Sequence, residues 1–127
     1  MLYDVGKIDA FYNGARGQMV AKLLREDLSN IWDPSKTASN LAVGFPFYFF
    51  PEDMIWPVLM PMEIGGIAWA YNQEIYTAII DSKSWPLESD SIDYILISHA
   101  LEFVPDHHSF LMEAGRVLKS AGKLILM

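Results

Sequence analysis

All three histidines of the chain, His99, His107 and His108, fall within ten residues of one another, and Glu102 lies among them. An imidazole titrates near neutral pH, so such a group can act as a general base or hold a metal. The spacing argues against the metal. His107 and His108 are adjacent, and in a helical turn neighbouring side chains point about 100° apart rather than along one face. His99 reads either as a base or as a strand-end residue with its hydrogen bonds satisfied. Earlier in the chain, Asp81-Ser82 precedes Lys83-Ser-Trp85-Pro-Leu87. A carboxylate there could accept a hydrogen bond from an adenine amino group while the Trp85 ring walls the base. Asp81 reads equally as a turn or capping residue. Gly44-Phe45-Pro46 offers a glycine beside which a ligand could approach the backbone closely. With a single glycine, a plain strand-to-loop turn explains it as well.

These residues need elements to position them. From Ala15 to Ile31 the apolar residues Met19, Val20, Leu23, Leu24, Leu28 and Ile31 recur at three-to-four-residue spacing, which predicts an amphipathic helix. Phe11-Tyr12 stands ahead of it, as a packing anchor or a cover for a ligand. Leu41 to Gly44, Met54 to Met60 and Ile75 to Ile80 read as short strands, with Pro57 at odds with the second. Glu63 to Tyr71 reads as a short helix. Ser91 to His99 is a nearly continuous apolar run, expected as a central strand covered on both faces. Asp106 then caps a helix whose stripe is Phe110, Leu111, Ala114, Val117 and Leu118, ending at Gly122, and Lys123 to Met127 forms a last strand.

Alternating helices and buried strands predict an α/β fold with a mostly parallel sheet and right-handed crossovers. In such sheets ligands sit beyond the carboxyl ends of the strands, so the residues following Val43, Met60, Ile80 and Ile97 are the ones to watch. The 127 residues suit one domain, with a helical segment over 1–38 and a sheet core over 39–127. A hydrophobic content of 52% excludes a disordered polar chain. A formal charge of −7 has the wrong sign for a protein that grips a phosphate backbone. The absence of cysteine excludes disulfides and thiolate chemistry. Leu41 to Met62 has the length of a membrane span, but four prolines and Glu52-Asp53 interrupt it, and the start does not read as a secretory leader. A cytoplasmic protein is expected.

Several segments taken in order carry a family resemblance. Asp81-Ser-Lys-Ser-Trp-Pro-Leu-Glu-Ser-Asp-Ser-Ile-Asp-Tyr-Ile-Leu-Ile-Ser-His-Ala-Leu-Glu-Phe-Val, followed by Phe110-Leu-Met-Glu-Ala-Gly-Arg-Val-Leu-Lys-Ser-Ala-Gly-Lys-Leu-Ile-Leu, resembles the class I S-adenosylmethionine (SAM)-dependent methyltransferases. Their patterns read "D-x-x-x-L-P-F-x-x-x-S-F-D-x-V-x-x-x-H-x-L-E-H-V" and "L-x-E-x-x-R-V-L-K-P-G-G-x-L-x-I". The resemblance implies a Rossmann-like three-layer αβα sandwich and SAM as cofactor. It puts Gly44, with Phe45 and Pro46, in the first cofactor loop, Met60 after the second strand, Asp81 and Ser82 beside the adenine, and His99 toward the methionine end. Trp85 is assigned to the base pocket.

The family's methyl transfer rests on proximity more than on an invariant acid or base, so no catalytic residue is assigned. The implied function is methyl transfer to a small-molecule or protein acceptor; the alternative is a non-catalytic interaction or regulatory module. Two departures bear on that choice. Ala42-Val-Gly-Phe-Pro-Phe stands where the family has an acidic residue and further glycines. Met60-Pro61 stands where an acidic residue holds the ribose, with Glu63 nearby as a substitute. The family's last two strands are also absent from the sequence. Either the chain is a fragment, or a partner chain or second copy covers the apolar Lys123 to Met127 edge.

Overall fold

The computed structural model describes residues 5–31, 39–44, 48, 56–64 and 77–127. Helices α1 (Val5–Asn13) and α2 (Ala15–Ile31) come first, followed by strand β1 (Asn40–Gly44). Strand β2 (Val58–Pro61) runs into a 3-10 turn over Met62–Ile64, and β3 (Thr77–Ile80) follows. Strand β4 (Ile92–Ser98), helix α3 (His107–Val117) and strand β5 (Leu118–Leu126) complete the order. All four strand pairings are parallel, and the sheet order is β3-β2-β1-β4-β5. The α/β expectation holds: this is a Rossmann-like parallel sheet with helices on both faces.

Strand alternation sorts the core into those two faces. Leu41 and Val43 of β1, Leu59 of β2, and Ile95 and Ile97 of β4 pack with Phe110, Ala114 and Val117 of α3. Ala42, Val58 and Leu96 point to the other side, where they meet Tyr12, Ala21 and Leu28 from α1 and α2. Both faces of β1 and β4 are therefore dry. A parallel sheet demands this, because its crossovers cover both sides. Gly17 lets the helical pair close up: a Cβ there would lie 1.9 Å from the Phe11 carbonyl oxygen.

Several expectations need correction. α1 takes in Phe11 and Tyr12, so these residues belong to a helix and do not merely precede one. The predicted stripe of α2 is only half right, since Leu28 is buried while Met19, Val20 and Leu23 face solvent. The inward seam runs through Gly17, Ala21, Leu24 and Leu28, because small residues allow the helix to sit close to the sheet. Trp56 and Pro57 lie ahead of β2, not within it, so the proline's missing N–H takes no donor from the strand, while its carbonyl still accepts from the Ala42 amide at 3.0 Å.

α3 stops at Val117, and Leu118 is already extended (φ −75°, ψ 132°) and pairs in β5. The fifth strand is thus longer than Lys123 to Met127. Leu124 and Leu126 on it are exposed. Residues 65–71 of the expected helix, Met54 and Ile55 of the expected second strand, Ile75 and Tyr76 of the expected third, and Phe45 and Pro46 lie outside the described residues. Among the described residues no helix is long and apolar enough to cross a membrane.

Phe110 anchors α3 against the sheet and meets Trp85 edge-on at 5.3 Å. Phe110→Ala is expected to lower unfolding stability by about 3–5 kcal/mol, from lost transfer energy and the cavity left behind. Leu111→Ala, on the exposed side of the same helix, is expected to cost under about 1 kcal/mol. Urea denaturation of the two variants checks both.

Candidate active site

The order β3-β2-β1-β4-β5 reverses direction between β1 and β4. Chain connections leave opposite ways from that pair, so a crevice opens beyond their carboxyl ends. Gly44 ends β1 and Ser98 ends β4, and the two are register partners. Gly44 has φ +106°, and a Cβ on it would lie 2.1 Å from the Ser98 carbonyl oxygen. Only glycine tolerates both the conformation and the contact. The Ser98 hydroxyl is fully buried and has no hydrogen-bond partner among the described residues. A buried polar atom without a partner costs on the order of 1–3 kcal/mol, which a ligand atom would recover.

His99 follows at once, with φ +51°, a conformation that bulky residues rarely adopt. Its Nδ1 lies 3.0 Å from Glu102 Oε2, and its Nε2 lies 2.7 Å from the Tyr12 hydroxyl. A carboxylate only accepts, so Nδ1 carries the proton and Nε2 accepts from Tyr12. Tyr12 reaches this position because α1 lies over the strand ends. Its ring stacks on Tyr48 at 4.4 Å, and Tyr48 in turn donates to Asp9 of α1 and is held through its carbonyl by Arg25 of α2 at 2.7 Å. Burial and the Glu102 charge both push the Tyr12 phenol above its ordinary pKa, so it stays protonated and donates. His107 belongs elsewhere: its Nε2 bonds the Leu101 carbonyl at 2.7 Å and closes the turn before α3.

On the far side of β1, Asp81 follows β3 and is exposed; its Oδ1 accepts from the Lys83 amide at 2.9 Å. Ser82 is buried, and its carbonyl accepts from the Trp85 indole at 3.1 Å. Trp85 is 3% exposed and packs in the core against Phe110, so its ring is not free to stand as a pocket wall. Met60 lies inside β2, 1% exposed and packed with Ile64. The strand ends one residue later, which leaves the exposed Glu63 in the 3-10 turn as the carboxylate near that end. Gly44, Asp81, Ser82 and His99 thus stand at or just past the ends of β1, β3 and β4, whereas Met60 and Trp85 are core.

Sequence reasoning missed two features here. One is the Ser98 hydroxyl, hidden in an apolar run. The other is a clamp from α3. Glu113 Oε1 accepts from the Trp85 amide at 2.8 Å, and Arg116 donates to the Trp85 carbonyl at 3.0 Å, the Leu87 carbonyl at 2.8 Å and the Ser89 hydroxyl at 3.2 Å. Glu113 and Arg116 are themselves paired at 2.6 Å. Three residues apart on one helix face, they grip the loop that leaves Asp81 and Ser82. The spacing was visible, but the partners are backbone atoms, which carry no side-chain pattern.

Comparison with known proteins bears on what such a site is for. The methyltransferase domain profile matches residues 68–126. That match takes in somewhat less than half of the chain. A demethylmenaquinone methyltransferase of Staphylococcus haemolyticus is 32% identical over 66 residues, which is 52% of this chain and 28% of that protein. The Staphylococcus epidermidis enzyme of the same name is 33% identical over 66 residues, 27% of its length.

Solved structures of SAM-dependent methyltransferases share the fold. A SAM-dependent methyltransferase of Thermotoga maritima superposes with a TM-score of 0.66 at 21% identity, covering 96% of this chain and 56% of that one. One from Aquifex aeolicus gives 0.64 at 18% identity, covering 98% and 72%. The chain therefore spans about half the length of the Thermotoga protein, and the matched segment is little more than a quarter of the staphylococcal enzymes.

Two outcomes are expected of the site's supports. Gly44→Ala should destabilise the fold by about 2 kcal/mol or more, since neither the positive φ nor the Ser98 contact can accept a methyl group; thermal unfolding measures it. The Arg116 hydrogen bond, aided by the Trp85 amide, holds the Glu113 carboxyl below its ordinary value of 4.5. A depressed folded-state pKa gives stability that is full above the unfolded value and is lost as pH falls through the folded one. The Trp85 indole resonance in proton NMR should thus hold at neutral pH and shift as acid passes below about 4.5, the ordinary value. In Glu113→Gln that acid transition should disappear.

Proposed function

We propose that this chain binds SAM across the carboxyl ends of β1, β3 and β4 and presents its methyl group to an acceptor. The observation that carries this reading is the fully buried Ser98 hydroxyl beside Gly44, without a partner among the described residues, at the point where the sheet reverses order. A polar vacancy beside a backbone stripped of its Cβ suits the polar amino-acid end of the cofactor. Asp81 supplies the carboxylate for the adenine amino group and Ser82 the backbone beside it. Glu63 stands where the ribose hydroxyls need an acceptor, in place of Met60. When bound, the cofactor supplies a methyl group on a positively charged sulfur, activated for in-line attack. The protein's part is to hold and orient it and to keep water out.

A small-molecule or protein acceptor agrees with the charge of −7; a nucleic acid would be repelled. The acidic, cysteine-free composition is in keeping with a cytoplasmic location. A non-catalytic methyltransferase-like module is the second reading, favoured by the lone glycine at the end of β1 and by Met60-Pro61 at the end of β2. Calorimetric titration with SAM and S-adenosylhomocysteine decides between them. Binding of both is expected, weakened about tenfold or about 1.4 kcal/mol in Asp81→Ala, the worth of one charge-assisted hydrogen bond. His107→Ala should bind as the unmodified chain does. If neither compound binds, the enzyme reading fails.

A further inference from the structure

Tyr12, His99 and Glu102 form one hydrogen-bonded line, drawn from α1 and from the turn after β4, that SAM binding alone does not require. The separations are 2.7 Å and 3.0 Å, and the tautomer is fixed from the Glu102 end. Its order is phenol, imidazole, carboxylate, and each member donates to the next. That is the arrangement by which a hydroxyl is made basic when its own proton can pass to a histidine held by a carboxylate. The ring of Tyr12 is locked by its stack on Tyr48, and its position bridges 87 residues of sequence. His99 keeps its side chain in reach only by holding φ +51°. Strain of this kind persists where the surroundings impose it, and it clusters at functional sites.

We propose that Tyr12, His99 and Glu102 are a proton relay, and that the methyl acceptor is a hydroxyl compound of the phenol or enol class. This inference rests on the SAM-binding reading above. Such an acceptor must lose its proton as it is methylated, because an oxygen carrying both groups would be a strongly acidic cation. The balance is as follows. The acceptor oxygen forms its bond to the methyl carbon as the carbon–sulfur bond breaks, and that electron pair stays on sulfur. The acceptor proton passes to the Tyr12 oxygen, and the Tyr12 proton passes to His99 Nε2. The imidazolium so formed faces the Glu102 carboxylate. Both side chains of that pair are partly open, at 23% and 26% exposure, so the proton leaves to water. Tyr12 is the catalytic residue in this scheme; His99 and Glu102 are positioning residues that act through it. An amine acceptor has less need of the line, since it can be methylated first and shed its proton afterwards.

Two measurements on the full chain test this. Nitrogen-15 NMR of the histidine rings, with His99→Gln for assignment, is expected to show His99 protonated on Nδ1 at neutral pH. A ring protonated on Nε2 alone would overturn the relay. 4-Nitrophenol, whose ionised form is coloured, is the acceptor probe, added with S-adenosylhomocysteine. Bound probe is expected to ionise about tenfold more than free probe at the same pH, a shift of one pKa unit. Tyr12→Phe and Glu102→Gln should lose that colour while binding S-adenosylhomocysteine unchanged, and Glu102→Asp should restore part of it. Failure of the probe to bind, or colour that survives in Tyr12→Phe, refutes the relay. Failure of S-adenosylhomocysteine to bind counts against the cofactor reading instead, and the NMR result still judges the relay.

Discussion

The pairing of β1 with β4 is the constraint from which the rest of the molecule follows. These two strands run parallel in register from Asn40 opposite Tyr94 to Gly44 opposite Ser98. Their neighbours lie to opposite sides, so a crevice opens beyond the carboxyl ends where they meet. Dry packing on both faces makes the strands rigid, with Ala42, Val43, Ile95 and Ile97 all fully buried. A rigid floor lets the chain hold a buried hydroxyl that no described residue satisfies and a histidine with positive φ. In a softer frame both would relax away.

The two helical layers then divide the work. α3 holds one side of the crevice through backbone atoms: Glu113 and Arg116 fix the loop after Asp81 and Ser82, while Phe110 ties that loop's Trp85 into the core. α1 and α2 hold the other side through rings and hydroxyls, with Tyr12 on His99 and Tyr48 between α1 and α2. The first arrangement depends little on which side chains fill the loop. The second depends wholly on residue identity, which suits a surface that selects what enters.

Much of this was written in the sequence, unevenly. β4 and α3 were legible because a long apolar run and a capped, striped helix are strong local patterns, and Asp106 does accept from the Ser109 amide at 3.0 Å. The α2 face was misread because periodicity counts large apolar residues, whereas the inward seam uses Gly17 and Ala21, chosen for closeness. Met60 and Trp85 looked like pocket residues because each lies near a strand's carboxyl end, but the strand boundary and the packing of a single ring are settled by tertiary contacts. The histidine cluster was legible as chemistry only in part. Glu102 at three residues from His99 was in plain view, while Tyr12 became its neighbour only when the chain closed on itself.

That closure sets a timetable for making the protein. α1 and α2 leave the ribosome before the sheet, yet the surface they cover is built from Ala42, Val58 and Leu96, and the contact that seats Tyr12 waits for His99, 87 residues later. At ordinary synthesis rates the helical pair would stand uncovered for roughly 4 to 17 s. During that interval its inward residues and the outward Met19, Val20 and Leu23 are bare together. A nascent chain in this condition is a natural client for a holding chaperone, and the side of the crevice that Tyr12 lines takes shape only after β4 has been made.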